Sequence, residues 1–150
     1  MMDDLRALYQ EVIIDHSRNP RNFGSLESAN CSAAGVNPLR GDELTLQCIL
    51  DSDEIIQDIR FVGRGCAISL ASASIMTEMM RGKSKTEAEQ LFNQFHARVT
   101  GTVDGPLVDI GKLEVLSGVR EFPTRVKCAT LAWHTAIAAI KKTDEQITTE

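Results

Sequence analysis

The sequence predicts an α+β fold: a small, mainly antiparallel, three-stranded sheet packed against several α-helices. Three observations predict it. Apolar residues recur at helical spacing near the N-terminus, two neighbouring segments between 42 and 63 alternate, and after Gly65 the period returns to that of a helix. At 150 residues the chain suits one domain with a real core. We assign that domain to 1–142 and treat 143–150, "TDEQITTE" after the initial Lys pair, as a polar tail expected to be disordered.

The first helix is read from Leu5, Leu8, Tyr9, Val12, Ile13 and His16, and it stops where Pro20 and Gly24 break "SRNPRNFG". The polar connection "SLESANCSAAGVNP" has room for one short edge strand, limited by Pro38. "DELTLQCIL" sets Leu44, Leu46, Cys48 and Leu50 on one face of a strand. "IIQDIRFVG" sets Ile55, Gln57, Ile59 and Phe61 on one face and Ile56, Asp58, Arg60 and Val62 on the other. The short acidic "DSDE" between them predicts a hairpin, hence an antiparallel pair. Ile68, Ala71, Ile75, Met76 and Met79 form the stripe of a second helix, ended by Gly82. Ala88, Leu91, Phe92, Phe95 and Val99 form a third, opened by a capping box of Ser84 and Glu87. "DIGKLEVLSGV" reads as a short helix or turn, and the last helix as 128–142.

Composition narrows the function classes. Apolar content of 43% and charged content of 25% are those of a soluble globular chain. No apolar run approaches the ~20 residues of a membrane span. The opening "MMDDLRALYQEV" is acidic and amphipathic, unlike a secretory signal. A net charge of −5 lacks the basic footprint of a nucleic-acid binder. The expectation is a cytoplasmic protein with neither a membrane nor a nucleic-acid partner. In that reducing compartment its four cysteines, none in a CxxC pair, are core residues or parts of a site assembled by folding.

Cys66, in "GRGCAISLASAS", lies where a strand gives way to a helix. The helix N–H groups and nearby Arg64 favour its thiolate. Cys128, in "FPTRVKCATLAWHT", is read at a second helix start, flanked by Arg125 and Lys127 and off the apolar stripe that begins at Ala129. Asp42, in "NPLRGDEL", is a turn acid able to bind a cation or simply to bond its own backbone. Two residues before it stands Arg40, a fixed positive charge. Cys48 sits among leucines and is assigned to the core; Cys31 is either an incidental edge-strand cysteine or a substitute ligand. His16, His96 and His134 show no zinc-finger or HExxH spacing and are not taken as ligands. The chain has no GxSxG, Gly-rich phosphate loop or GxGxxG, which argues against nucleotide chemistry.

Four blocks, "DHSRNPRNFG", "NPLRGDELTL", "GRGCAISLASASIMTEMMRGKS" and "FPTRVKCATLAWHT", resemble in order those of the IscU/SufU/NifU-type iron–sulfur cluster assembly family. The SufU branch is the nearer match. There is an extended segment, "FHARVTGTVDGPLVDIGKLEVLSG", between the cysteine blocks, and Lys127 precedes the last cysteine where the IscU branch typically has histidine. The resemblance implies a SufE/NifU-like fold and a near-surface metal site built from Asp42, Cys66 and Cys128, with zinc favoured over iron or a [2Fe–2S] cluster. It implies a PLP-dependent cysteine desulfurase as partner, with downstream assembly or apo-acceptor proteins beyond it. It also implies a scaffold or sulfurtransferase-type accessory protein rather than a stand-alone enzyme.

The family's loop cysteine, which receives sulfur, is here Arg40. Arginine has no lone pair to give a metal. One carboxylate and two thiolates suffice for zinc with an open position, whereas a [2Fe–2S] cluster wants four protein ligands. Without the loop cysteine, sulfur acceptance falls to Cys128, our first choice, or to Cys66. The alternative is a degenerate binding module that docks on the desulfurase, its site closed by Arg40, and transfers nothing.

Overall fold

The structure is a computed structural model that describes residues 2–102, 109–142 and 146–149. Helix α1 (Met2–Arg18) is followed by strands β1 (Cys31–Asn37), β2 (Asp42–Leu50) and β3 (Ile56–Arg64). Then come α2 (Ala67–Met80), α3 (Lys85–Thr100), a 3₁₀ helix (Gly111–Glu121), α4 (Pro123–Ile140) and a two-residue strand β4 (Ile147–Thr148). The sheet order is β3-β2-β1-β4, with β1–β2 and β2–β3 antiparallel and β1–β4 parallel. No helix among the described residues is long and apolar enough to cross a membrane.

The expected α+β architecture is present, with one strand more than the sequence predicts. Ile147 and Thr148 pair with Gly35 and Val36. Thr149 extends the contact, its N–H donating to the Val36 carbonyl at 3.1 Å and its hydroxyl to the Lys127 carbonyl at 3.2 Å. An edge strand offers unpaired backbone groups, and these residues of the expected tail fill them; 143–145 and 150 lie outside the described residues, as do 103–108 of the extended segment.

Strand β1 alternates, burying Cys31, Ala33, Gly35 and Asn37, and ends before Pro38. Strand β2 buries Asp42, Leu44, Leu46 and Cys48. In β3 the simple alternation fails. The register runs from Ile49↔Asp58 to Leu50↔Ile56, leaving Gln57 as an extra residue. This bulge turns Ile56 inward, fully buried, and Gln57 out to bond Asp51 at 2.5 Å.

Helix α4 lies across β1 and β2 and meets α2 on its other side. Its core residue Trp133 stacks on Phe95 of α3 at 4.7 Å between ring centroids. The indole N–H donates to Ser72 Oγ at 3.0 Å, and that hydroxyl donates to the Ala129 carbonyl at 2.6 Å, tying α2 to α4 through a buried polar bridge. The capping box of α3 is formed as predicted: Glu87 N–H donates to Ser84 Oγ at 3.1 Å and Ser84 N–H to Glu87 Oε1 at 3.0 Å. Helix α4 starts five residues earlier than 128. Pro123 occupies its first position, where the missing N–H is harmless and the fixed φ helps.

The approach of α4 to β1 depends on Gly35. A Cβ built there would lie 2.1 Å from Thr135 Oγ1 and 3.1 Å from Leu131 Cδ1. Thr135 is held in place by its bond to the Leu131 carbonyl at 2.7 Å. Gly35→Ala is therefore expected to destabilise the fold by about 1–3 kcal/mol through overpacking. Urea unfolding measures this; an unchanged midpoint would show slack between the helix and the sheet. Removing the capping box with Ser84→Ala is expected to cost about 1 kcal/mol in the same assay.

Candidate metal centre

The hairpin joining β1 and β2 sets Asn37 and Asp42 opposite each other across its base. Asp42, the first residue of β2, is 1% exposed. Its Oδ1 accepts from the Cys66 backbone N–H at 2.8 Å, which fixes the start of α2 against the start of β2. Its Oδ2 accepts from Asn37 Nδ2 at 3.2 Å and lies 4.0 Å from Cys66 Sγ. Gly65 makes room for this contact, because a Cβ there would lie 2.5 Å from Asp42 Oδ1.

Cys66 is the N-cap of α2, in extended conformation, with its side chain partly exposed. Cys128 lies in the second turn of α4 and is 0% exposed. One ligand atom from each of Asp42, Cys66 and Cys128 falls within 4.8 Å of the others. Among the described residues no other group of three or more His, Cys, Asp and Glu side chains converges in this way.

A hydrogen bond between the two sulfurs shifts their pKa values in opposite directions. The Cys66 thiol is lowered from 9.0 to about 7, chiefly by its hydrogen bond with Cys128 and, against burial, by the N–H groups of Ser69 and Ile68. Cys128 is pushed well above the ordinary thiol range by that same bond, by burial and by Asp42. Of the two, Cys66 gives up its proton the more readily and Cys128 holds it. This corrects two premises about Cys128: it is not at a helix start, and its neighbouring cations do not make it the thiolate. The partly exposed, helix-capping sulfur is Cys66.

Arg40 stands at the exposed turn, where its backbone N–H donates to the Asn37 carbonyl at 3.2 Å. Among the described residues no ion pair or side-chain hydrogen bond joins it to Asp42, so the turn is not held by an Arg–Asp pair. Arg40 lines a shallow cavity with Leu39, Gly41, Arg64, Gly65 and Cys66. Arg64 reaches instead to Glu43 at 3.3 Å.

Cys31 and Cys48 are cross-strand partners, both buried. The Cys48 thiol is pushed up to about 12 by burial and by Cys31. Cys48 is a core residue as expected. Cys31 opens β1 and Asn37 closes it, so at ~3.3 Å per residue Cys31 sits ~20 Å from the triad and supplies no fourth ligand. His16 is buried against Ser74 at 2.7 Å, and burial lowers its pKa. His96 and His134 face each other at 5.8 Å between ring centroids, packed on Phe92. None of the three joins the triad.

Sequence reasoning missed Asn37. Fully buried, it donates to Asp42 and also toward Cys128 Sγ at 3.6 Å. The signal that could have found it is its place five residues before Asp42 across a tight turn, which makes the two strand-end partners.

The arrangement defines a small α+β protein with one anionic, sulfur-rich cluster at a hairpin base. The chain matches the NifU-like N terminal domain over residues 8–150 and belongs to that family. It is 41% identical over 141 residues to the iron–sulfur cluster assembly scaffold protein IscU of Streptococcus pyogenes serotype M1, covering 94% of this chain and 87% of that one. It is 42% identical over 130 residues to the zinc-dependent sulfurtransferase SufU of Bacillus subtilis strain 168, covering 87% of each. Among solved structures, a protein from Fervidobacterium islandicum AW-1 described as an iron–sulfur cluster assembly scaffold for the SUF system superposes with a TM-score of 0.80 at 35% identity, over 90% of this chain and 98% of that one.

The proton arrangement is testable in metal-free protein. Alkylation of Cys66 by iodoacetamide, followed by peptide mass spectrometry, is expected to rise through about pH 7 as the thiolate forms. Cys128 and Cys48, buried, should stay unmodified while the protein is folded. A Cys66 profile centred near the ~8.5 of a free thiol would contradict the lowered Cys66 pKa.

Proposed function

We propose that this protein is an iron–sulfur cluster assembly protein of the zinc-dependent, SufU-like kind, taking sulfur from a PLP-dependent cysteine desulfurase. The observation that carries the reading is the convergence of Asp42, Cys66 and Cys128 within 4.8 Å. Three donors of this type fit zinc with one position left open. They fit a [2Fe–2S] cluster poorly, since no fourth protein donor converges among the described residues. Asp42, Cys66 and Cys128 would hold the ion, which when bound keeps both sulfurs deprotonated and supplies a Lewis acid.

Sulfur acceptance belongs to Cys66 rather than to Cys128. Cys66 lines the cavity beside Arg40, whereas Cys128 is sealed inside α4. The Cys66 thiolate attacks the outer sulfur of the donor's persulfide; a new S–S bond forms, the donor S–S bond breaks, and the donor cysteine leaves as thiolate. Arg40 at the cavity favours the approach of an anionic persulfide. Arg40 also supports the second reading, a docking module that transfers nothing, because it stands where the family's loop cysteine would accept sulfur.

Metal analysis of the purified protein separates the two readings. About one zinc per chain, removable by chelator, is expected; none would favour the docking module. Arg40→Cys is expected to raise zinc affinity by more than the roughly 10–100-fold that an outer-shell partner contributes, and to increase stimulation of a cysteine desulfurase. Cys66→Ser should abolish ³⁵S labelling by the desulfurase, and labelling that survives would remove Cys66 from the acceptor role.

A further inference from the structure

The amide of Asn37 faces two of the three donors. Its Nδ2 lies 3.2 Å from Asp42 Oδ2 and 3.6 Å from Cys128 Sγ, so each of its two N–H groups has an acceptor within the triad. We propose that Asn37 is a positioning residue for the metal, its amide holding the Asp42 oxygen and the Cys128 sulfur at one spacing and so setting the affinity and ligand field of the site. This rests on the reading of the triad as a metal site.

Three observations support it. The side chain is 0% exposed and its Oδ1 has no hydrogen-bond partner among the described residues. Its bonds to Asp42 and Cys128 orient the amide, since turning it over would press Oδ1 against a carboxylate oxygen. A buried amide with an orphaned acceptor is a liability for packing. The other inward residues of β1 are Cys31, Ala33 and Gly35, none of which needs such a partner.

The placement is also rigid. Asn37 is the register partner of Asp42 at the hairpin base, and its carbonyl closes the turn by accepting from Arg40 N–H. Asp42 Oδ1 is already committed to the Cys66 backbone N–H, so Oδ2 is the oxygen left for a metal, and it is the one that Asn37 holds. A single amide thereby links donors on β2 and α4. With only three protein donors, ordering two of them in advance lowers what the metal must organise on binding.

The test uses cobalt(II) and zinc on the full-length protein, with affinities from competition against a chromophoric chelator. Asn37→Leu keeps the branched heavy-atom skeleton of the side chain and removes both the donors and the orphaned acceptor. The variant is expected to unfold at a lower urea concentration, because Asp42 Oδ2 loses its donor, and to bind both metals roughly 10–100-fold more weakly. An N–H···S bond draws electron density from sulfur. Its loss should move the sulfur-to-cobalt charge-transfer band to longer wavelength, a change that packing alone does not produce. Asn37→Ser, whose short hydroxyl cannot span oxygen and sulfur, provides the same readings if the leucine variant fails to fold. Parent-like affinity with an unshifted band in a folded variant overturns the proposal and leaves the metal site standing. A parent protein that takes up neither metal overturns both.

Discussion

The Asp42 carboxylate is the interaction on which the arrangement depends. A buried anion costs several kcal/mol unless its oxygens are satisfied, and here each oxygen has a partner on a different element. Oδ1 takes the backbone N–H of Cys66, joining the start of β2 to the start of α2, and Oδ2 takes the amide of Asn37 at the end of β1. Gly65 permits the first contact and the hairpin register supplies the second. Cys128 arrives by an independent route, carried in by α4 as it presses onto β1 over Gly35. The cluster is the meeting point of three chain segments far apart in sequence, and the fold is the device that joins them.

Much of this was legible in the residues. The order of helix, hairpin and helices follows from periodicity, and the Ser84–Glu87 capping box from its own spacing. Cys66 at a helix N-terminus was legible because glycines on a strand's end followed by a helical stripe have few other readings. What escaped depends on contacts that no local pattern encodes. The Gln57 bulge is a register adjustment between two strands, invisible in either one alone. Strand β4 forms because β1 has a free edge. The start of α4 lies earlier than the sequence predicts because the apolar stripe begins only at Ala129, whereas Pro123 is the helix's first residue. That displacement carried Cys128 to a helix start, where it would be an activated thiol, when it lies a full turn inside and sealed.

Arg40 gives this member of the family its particular character. Its charge neither pairs with Asp42 nor enters the cluster; it stands at the exposed turn, on the cavity that Cys66 also lines. The triad is therefore left with three donors and an approach flanked by the Arg40 guanidinium. Under the proposed function, three donors suit a single divalent ion with an exchangeable position better than a cluster that needs four protein ligands. Cys31, the one further cysteine that might have compensated, is spent in the core beside Cys48.

The central claim is that folding gathers one oxygen and two sulfurs around a common ion. X-ray absorption at the zinc edge of the metal-loaded protein tests it most directly. Two sulfur scatterers at ~2.3 Å and two lighter scatterers at ~2.0–2.2 Å are expected, one of the lighter pair from Asp42 and one exchangeable. A shell of nitrogen and oxygen alone, or a spectrum unchanged when Cys128 is replaced by serine, would contradict it.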